Sequence, residues 1–296
     1  MITVSAILPT VGRFSVKEVV DSLNSQSFSI FELIIVDQSS SQDFRDFLLG
    51  LEADYPIRVF SVARLGASAA RNLGLKAASG DVVFFPDDDC VYDSKAVGKA
   101  VELIASGYDA VGGVAYSSNF GAQKTVSKFM KKSSEVDVAN LLYCCIEFTF
   151  FCRRDLVQDY AFNEMVGAGA GTRDGSDEII DLIWRKLAGG STMYFSTEVI
   201  SFHPSNRNTG GNDILDKMYL YAWGRGVTLR AIPFPLLVTV KELVWPFLGA
   251  VVYFFRMDLY LFKYYLSVGF GKVRGYVDRK SVRDRLLFAR RGINEL

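Results

Sequence analysis

Asp87-Asp88-Asp89 stands directly after the apolar run Val82-Val83-Phe84-Phe85. Three carboxylates at a strand end repel one another unless a cation neutralises them, and a divalent ion bridging a diphosphate is a partner that fits. Taken alone, the same triplet is equally an acidic turn or a helix N-cap. A second acidic group, Asp177, Glu178 and Asp181, opens a helical pattern running to Leu187. Carboxylates there complement the positive end of a helix dipole, and Asp181 with Arg185 has the spacing of an i,i+4 ion pair. His203, the only histidine, follows the strand-like Thr197–Phe202 and precedes Pro204, where hydrogen bonding of its imidazole holds a loop. The run Gly167-Ala168-Gly169-Ala170-Gly171-Thr172-Arg173 invites comparison with nucleotide-binding glycine loops. Its position argues against that, because such loops join the first strand of a domain to its first helix. A flexible loop beside a binding site is the expectation instead.

The elements that position these groups follow from periodicity. Residues 3–8 form a β-rich run halted by Pro9, Val16, Val19, Val20 and Leu23 share one helical face, and Leu33–Val36 is a second strand. The order repeats: an amphipathic segment around Phe44–Leu51, a strand Ile57–Val62, a helix Ala67–Ala78 and a strand Val82–Phe85. Alternation of this kind predicts an α/β fold with a Rossmann-like, mostly parallel sheet flanked by helices. Ligands of such sheets bind beyond the carboxyl ends of the strands, which is where Pro9-Thr10, Asp37-Gln38 and the aspartate triplet fall. A helix near Asp93–Ser106 leads into a less regular half with strands at Ala110–Tyr116 and Cys144–Phe151.

Among the 296 residues, half are apolar and 22% are charged, with 33 basic against 33 acidic side chains. Disorder, a collagen-like fibre and a basic nucleic-acid-binding domain are thereby disfavoured. Cys90, Cys144, Cys145 and Cys152 form no C-x-x-C pair and have no zinc-ligand spacing with His203, so reduced thiols are expected. The amino-terminal segment alternates like a strand and lacks the continuous apolar stretch of a secretory signal, which predicts a cytoplasmic location.

The first ninety residues resemble the nucleotide-sugar half of family 2 glycosyltransferases with the GT-A fold. VSAILPT resembles the opening strand and turn, FELIIVDQSS the second strand ending in an aspartate, and RLGASAARNLGLKAASGDVVFFPDDD the helix and strand leading into the DXD motif. Three motifs in order are more specific than any one. The resemblance implies that Pro9 and Thr10 line the base pocket, Asp37 contacts base or ribose and Arg71 reaches the same side. Asp87 and Asp88 are implied to face ribose and diphosphate, and Asp89 to bind Mn²⁺ or Mg²⁺ with Asp87 and His203 as further candidate ligands. Gln38 stands where the family often has a second aspartate, which leaves the base preference open, with a UDP-sugar favoured. Further on, the segments starting at Cys152 and Phe162 resemble those that precede the family's catalytic carboxylate. The register anchored on Asp181-Leu182 and Arg185 makes Glu178 the general base, and a one-residue shift makes Asp177-Glu178 the acidic pair. Tyr219–Arg230 resembles a Tyr/Gly-rich segment of bacterial surface-polysaccharide transferases, whereas the Gln-x-x-Arg-Trp signature of processive synthases is not found.

Beyond residue 230 the chain turns apolar and then basic. Ile232–Phe255 is interrupted by Lys241-Glu242 and contains Pro233, Pro235 and Pro246, and its longest clean run is short of the ~20 residues needed to span a bilayer. Residues 256–296 carry ten Lys/Arg, including Arg290 and Arg291, against four Asp/Glu. Apolar, aromatic and cationic residues together suit a helical extension on an anionic membrane surface, although packing on the catalytic domain or in a homo-oligomer accounts for them too. The expected organisation is a catalytic domain over 1–230, divided into a nucleotide-sugar half (1–92) and an acceptor half (93–230), followed by a membrane-associating extension over 231–296. The expected function is metal-dependent, inverting transfer from a nucleotide-sugar to a lipid-linked bacterial glycan of O-antigen or capsule type, on the inner face of the plasma membrane. A sugar nucleotidyltransferase and a non-catalytic nucleotide-binding partner are the alternatives, and no nucleic-acid partner is expected.

Overall fold

The computed structural model describes residues 2–118, 124–158, 161–204 and 212–294. The side chains of Arg290 and Arg291, counted above in the basic tail, lie outside the described residues. The strands are β1 (Val4–Thr10), β2 (Glu32–Asp37), β3 (Ile57–Ser61), β4 (Val82–Phe84), β5 (Val91–Tyr92), β6 (Ala110–Ser117), β7 (Ser134–Glu135), β8 (Phe150–Arg153) and β9 (Met193–His203). They make one sheet in the order β3-β2-β1-β4-β8-β6-β9-β5, with β7 also paired to β9. Helices α1 (Val16–Asn24), α2 (Gln42–Leu49), α3 (Ala67–Ala77) and α4 (Ala96–Ala105) belong to the first half. Helix α5 (Glu178–Ala188) and the carboxyl-terminal helices α6 (Asn212–Ala231), α7 (Leu236–Phe255), α8 (Leu259–Val277) and α9 (Arg279–Asn294) complete the chain.

Strands β1, β2, β3 and β4 are mutually parallel; β1, β2 and β4 are buried along their whole length, as strands covered on both faces are, while β3 at the edge is interrupted by Arg58 and only partly buried. Successive side chains alternate between two cores: Ile7, Ile34 and Val83 enter one, and Ala6, Leu8, Leu33, Ile35 and Phe84 enter the other. The second half is mixed. β8 runs antiparallel to both β4 and β6, while β6 and β9 are parallel. The sheet is therefore half as parallel as its first ninety residues suggest, because β8 enters from an irregular segment rather than through a crossover helix. Position β1 between β2 and β4 creates a switch point, and the carboxyl ends of β1 and β4 open the crevice where ligands of such sheets bind.

The carboxyl-terminal helices fasten onto this body. α6 and α8 meet backbone to backbone: a Cβ at Gly275 would lie 2.0 Å from the Trp223 carbonyl oxygen, and one at Gly226 would lie 2.1 Å from that of Lys272. Glycine removes the side chain that would hold the helices apart. On the buried face of α7, Glu242 accepts from Tyr143 Oη at 3.0 Å and from Lys272 Nζ at 2.6 Å. Burial opposes the Glu242 charge, but Lys272 and Arg225 hold its carboxyl down at about 2. Burial also presses the Lys272 ammonium below its ordinary value, so the pair is worth less than the carboxylate alone indicates.

Candidate active site

At the switch point, Thr10 Oγ1 donates to Asp88 Oδ2 at 2.7 Å, joining the end of β1 to the loop after β4. Arg13, just beyond β1, bridges Asp88 Oδ1 at 3.1 Å and Asp89 Oδ2 at 2.5 Å. Burial raises the Asp88 carboxyl, with Thr10 and Arg13 opposing it. Asp89 is held below the carboxylate range despite its burial, by His203 and Arg13. His203 Nε2 lies 3.2 Å from Asp89 Oδ1, its Nδ1 faces the Pro204 carbonyl at 2.6 Å, and its ring stacks on Phe148. One ligand atom each from Asp87, Cys90 and His203 falls within 4.8 Å of the others. The Asp87 carboxylate and the His203 imidazole suit Mn²⁺, while burial keeps the Cys90 thiol protonated and so withholds its sulfur as a ligand; Asp87 and His203 are the donors of this group that fit the metal the sequence resemblance implies.

The second carboxylate group arrives from the far side. Arg71, on α3 and 3% exposed, donates from Nη2 to Asp87 Oδ1 at 2.9 Å and from Nη1 to Glu178 Oε1 at 3.2 Å. Burial works against its charge, but Asp87, Glu178 and Glu147 outweigh that and raise its affinity for the proton. Its Nε has no hydrogen-bond partner among the described residues. Glu178, the first residue of α5, is buried, and burial raises its carboxyl although Arg71 partly offsets the rise. Space for it comes from Gly167, whose φ is +103° and where a Cβ would lie 2.6 Å from a Glu178 oxygen. The glycine loop is thus clasped rather than free: Ala67 N–H donates to the Ala168 carbonyl at 2.9 Å, and Ser68 Oγ donates to that of Val166 at 2.6 Å.

Asp177, by contrast, is already engaged. It adopts left-handed backbone angles (φ 69°, ψ 22°), and both its oxygens accept from Arg225 of α6, at 2.7 and 2.9 Å. Asp181 and Arg185 form the i,i+4 ion pair foreseen from their spacing, buried under Phe288. Asp37 and Pro9 end β2 and β1 side by side, with Thr10 opposite Asp37 in register, and Asp37 Oδ1 accepts from Ser39 N–H at 2.8 Å. Gln38, the departure from the family pattern, accepts through Oε1 from the N–H groups of Leu65 and Gly66 and fixes the entry to α3. Pro9, Thr10, Asp37, Asp87, Asp88, Asp89 and His203 therefore gather along the strand ends, and Arg71 joins them to Glu178.

Arg13 and Glu147 were passed over in the sequence, and Tyr221 and Arg225 were singled out only as part of the segment Tyr219–Arg230, without a role of their own. Glu147 had a signal, as an isolated carboxylate in the apolar stretch Leu141–Cys152. Burial, with Glu178 repelling it and Arg71 opposing, pushes its carboxyl up to about 8. The Tyr221 hydroxyl is pushed to about 12 by burial, Glu178, Glu147 and Asp87. A hollow of about 620 Å³ lies beside Asn72, Arg154 and Glu164, away from these carboxylates. A smaller one of about 440 Å³ opens at Arg13, Asp89 and Pro204.

Residues 5–161 match the profile of Glycosyl transferase family 2, more than half of the chain. The protein belongs to glycosyltransferase family 2. It is similar to a Campylobacter jejuni protein described as GalNAc(5)-diNAcBac-PP-undecaprenol beta-1,3-glucosyltransferase, with 29% identity over 168 residues. That match covers 54% of each chain, so the family 2 chain described here spans about half the length of this relative. Glycosyltransferase AglE of Haloferax volcanii is 26% identical over 220 residues, 68% of this chain and 67% of the relative. Among solved structures, S. aureus TarS 1–349 in complex with UDP-GlcNAc superimposes with a TM-score of 0.57 at 16% identity, covering 98% of this chain and 92% of that one. The shared fold is GT-A, a mixed sheet flanked by helices with a carboxyl-terminal helical extension.

Proposed function

We propose that this family 2 protein is a metal-dependent, inverting glycosyltransferase that moves a sugar from a UDP-sugar to a lipid-linked glycan of O-antigen or capsule type. The observation that carries the reading is Arg71, which spans from Asp87 on the diphosphate side to Glu178 on the acceptor side. Thr10, Asp37 and Asp88 would receive the nucleoside. Glu178 accepts the proton of the acceptor hydroxyl as its oxygen bonds to the anomeric carbon, and the bond from that carbon to the diphosphate oxygen breaks. One displacement inverts the centre. Arg71 keeps Glu178 charged and aimed while the buried surroundings keep it basic. Asp87, Asp89 and His203 would hold a divalent ion, which supplies charge neutralisation for the departing diphosphate. The Campylobacter relative, described as acting on an undecaprenol-linked substrate, and the UDP-GlcNAc complex of TarS support the substrate classes.

The test is nucleoside diphosphate release from a panel of UDP-, GDP- and dTDP-sugars, with Mn²⁺ or EDTA. Release from one donor, abolished by EDTA and by Asp89→Ala, is the expected result. Consumption of a nucleoside triphosphate with a sugar phosphate would instead identify a nucleotidyltransferase, and UDP binding without turnover of donor and acceptor a non-catalytic partner.

We assign residues 1–230 to catalysis and 231–296 to a membrane-docking extension on the inner leaflet. α7 is long and apolar enough to cross a membrane by length and composition, and only 17% of its 18-residue window is buried. Its exposed face includes Leu237, Val244, Trp245, Leu248 and Phe255, while Arg279, Lys280 and Arg283 of α9 are exposed nearby in sequence. Because the Tyr143 hydroxyl of the catalytic part donates to Glu242, and Glu242 also pairs with Lys272 of α8, α7 is fastened on its polar side and is read as lying along the membrane surface rather than through it. The protein is expected to float with vesicles containing 30% phosphatidylglycerol, in roughly the composition range of anionic leaflets, and Leu237→Glu with Leu248→Glu should release it. Equal recovery of both forms in the soluble fraction would remove the membrane from the reading.

A further inference from the structure

β8 runs antiparallel to β4 with Phe151 opposite Phe84, so residues just before β8 lie alongside those just after β4. Ahead of β8 the chain leaves the strand as a single 3₁₀ turn, Glu147–Thr149, so Glu147 and Phe148 are placed by that turn and its contacts. Phe148 lies against the site: its carbonyl accepts from Tyr92 Oη at 2.7 Å and its ring stacks on His203, which sets the neighbouring Glu147 on that side. Glu147 is within electrostatic reach of Arg71, Glu178, Asp87 and Tyr221. Asp87 and Glu178 are each bound by Arg71, but Glu147 has no ion pair and no hydrogen bond to another side chain among the described residues. Its side chain is half-buried.

Resting on the transferase reading, we propose that Glu147 is a specificity-determining residue that receives hydroxyl groups of the sugar being transferred. The anomeric carbon must lie between the diphosphate held at Asp87–Asp89 and the base at Glu178. A carboxyl group set beside both ends of that path faces the ring of the donor sugar rather than the nucleoside. Two carboxyl oxygens can engage two neighbouring ring hydroxyls, and an epimer that turns one hydroxyl away leaves an oxygen unpaired in a water-poor site. The same enclosure gives Glu147 a reason to exist where an apolar residue would pack more favourably, since burying an unpaired carboxyl has a cost unless a ligand satisfies it.

The experiment is calorimetric binding of UDP, UDP-glucose, UDP-galactose, UDP-GlcNAc and UDP-GalNAc to the full chain with Mn²⁺, for the parent protein, Glu147→Gln and Glu147→Ala. The parent should bind one UDP-sugar more tightly than its C4 epimer, and both variants should lose about 10- to 100-fold of that preference. Their UDP affinity should stay within about twofold of the parent, a change too small to count as a lost hydrogen bond. A merely structural role would weaken UDP and all four sugars together. An unchanged epimer ratio in both variants, with UDP still bound, overturns the role of Glu147 and leaves the transferase reading standing. If the parent does not bind UDP at all, the UDP-sugar assignment falls and the role of Glu147 falls with it.

Discussion

Glu178→Gln should lower the rate of sugar transfer by about 10²- to 10⁴-fold, the range of an ablated general base, while leaving UDP affinity nearly unchanged. Glutamine keeps the shape that fills the space over Gly167 and still accepts from Arg71 at Oε1, so the loss isolates proton transfer from packing. The position has what a base needs: a buried carboxylate whose basicity is raised by its surroundings and whose charge is sustained by one fixed guanidinium. Asp177→Asn provides the contrast. Its carboxylate spends both oxygens on Arg225, so its replacement should disturb the start of α5 and reduce the rate less. Single-turnover rates for the two variants decide between them. A larger loss for Asp177→Asn than for Glu178→Gln would move the base one residue earlier and make the Arg225 contact a resting arrangement.

Why the strand ends were legible and their meeting was not is a matter of range. β1, β2 and β4 are continuous apolar runs closed by polar turns, and both signals are local. Cys144–Phe151 was read as one strand, yet only Phe150–Arg153 pairs, preceded by single turns of 3₁₀ helix at Leu141–Tyr143 and Glu147–Thr149. Cys144, Cys145 and Phe148 are buried there in any backbone conformation, so apolar character alone could not separate the two. β9 begins at Met193, before the expected Thr197, because the polar Ser196-Thr197 sits where the pairing with β6 shifts register between Gly112 and Val114. Arg71 illustrates the harder limit. The resemblance directed it toward base or ribose, and in the fold it lies between Asp87, 16 residues away, and Glu178, 107 away. No periodicity carries a contact of that separation. Gln38 is the opposite case, since a departure from the family pattern proves to have a structural use at Leu65 and Gly66.

Arg285→Ala is expected to cost about 3–5 kcal/mol of stability, the loss typical of breaking one side of a buried ion pair. Arg285 of α9 is 2% exposed and reaches 111 residues back to Asp174, donating from Nε to Oδ2 at 2.7 Å and from Nη2 to Oδ1 at 2.5 Å, with a further bond to the Ser176 carbonyl at 2.8 Å. The two partners respond in opposite directions. Asp174 raises the Arg285 affinity for its proton against burial, whereas burial lifts Asp174 to about 6 despite Arg285. The desolvation of Asp174 thus exceeds what its partner returns, and the intact pair adds little net stability. Removing Arg285 leaves that desolvation without any offset, which is why the deletion is large although the pair is not. A raised carboxyl has a definite sign in pH dependence: the folded state holds the proton more tightly, so its contribution is fully present below about pH 3.8 and is lost as pH rises toward about 6. In Arg285→Ala the carboxyl rises further, and the decline should continue to higher pH. Urea unfolding across pH 4 to 8, roughly bracketing this window, should give parent and variant curves that diverge as pH increases. Adding Asp174→Asn to the variant should recover much of the loss by removing the unpaired charge. If Arg285→Ala unfolds like the parent at every pH, α9 is not anchored through Asp174, and the segment leading into Glu178 owes nothing to the carboxyl-terminal extension.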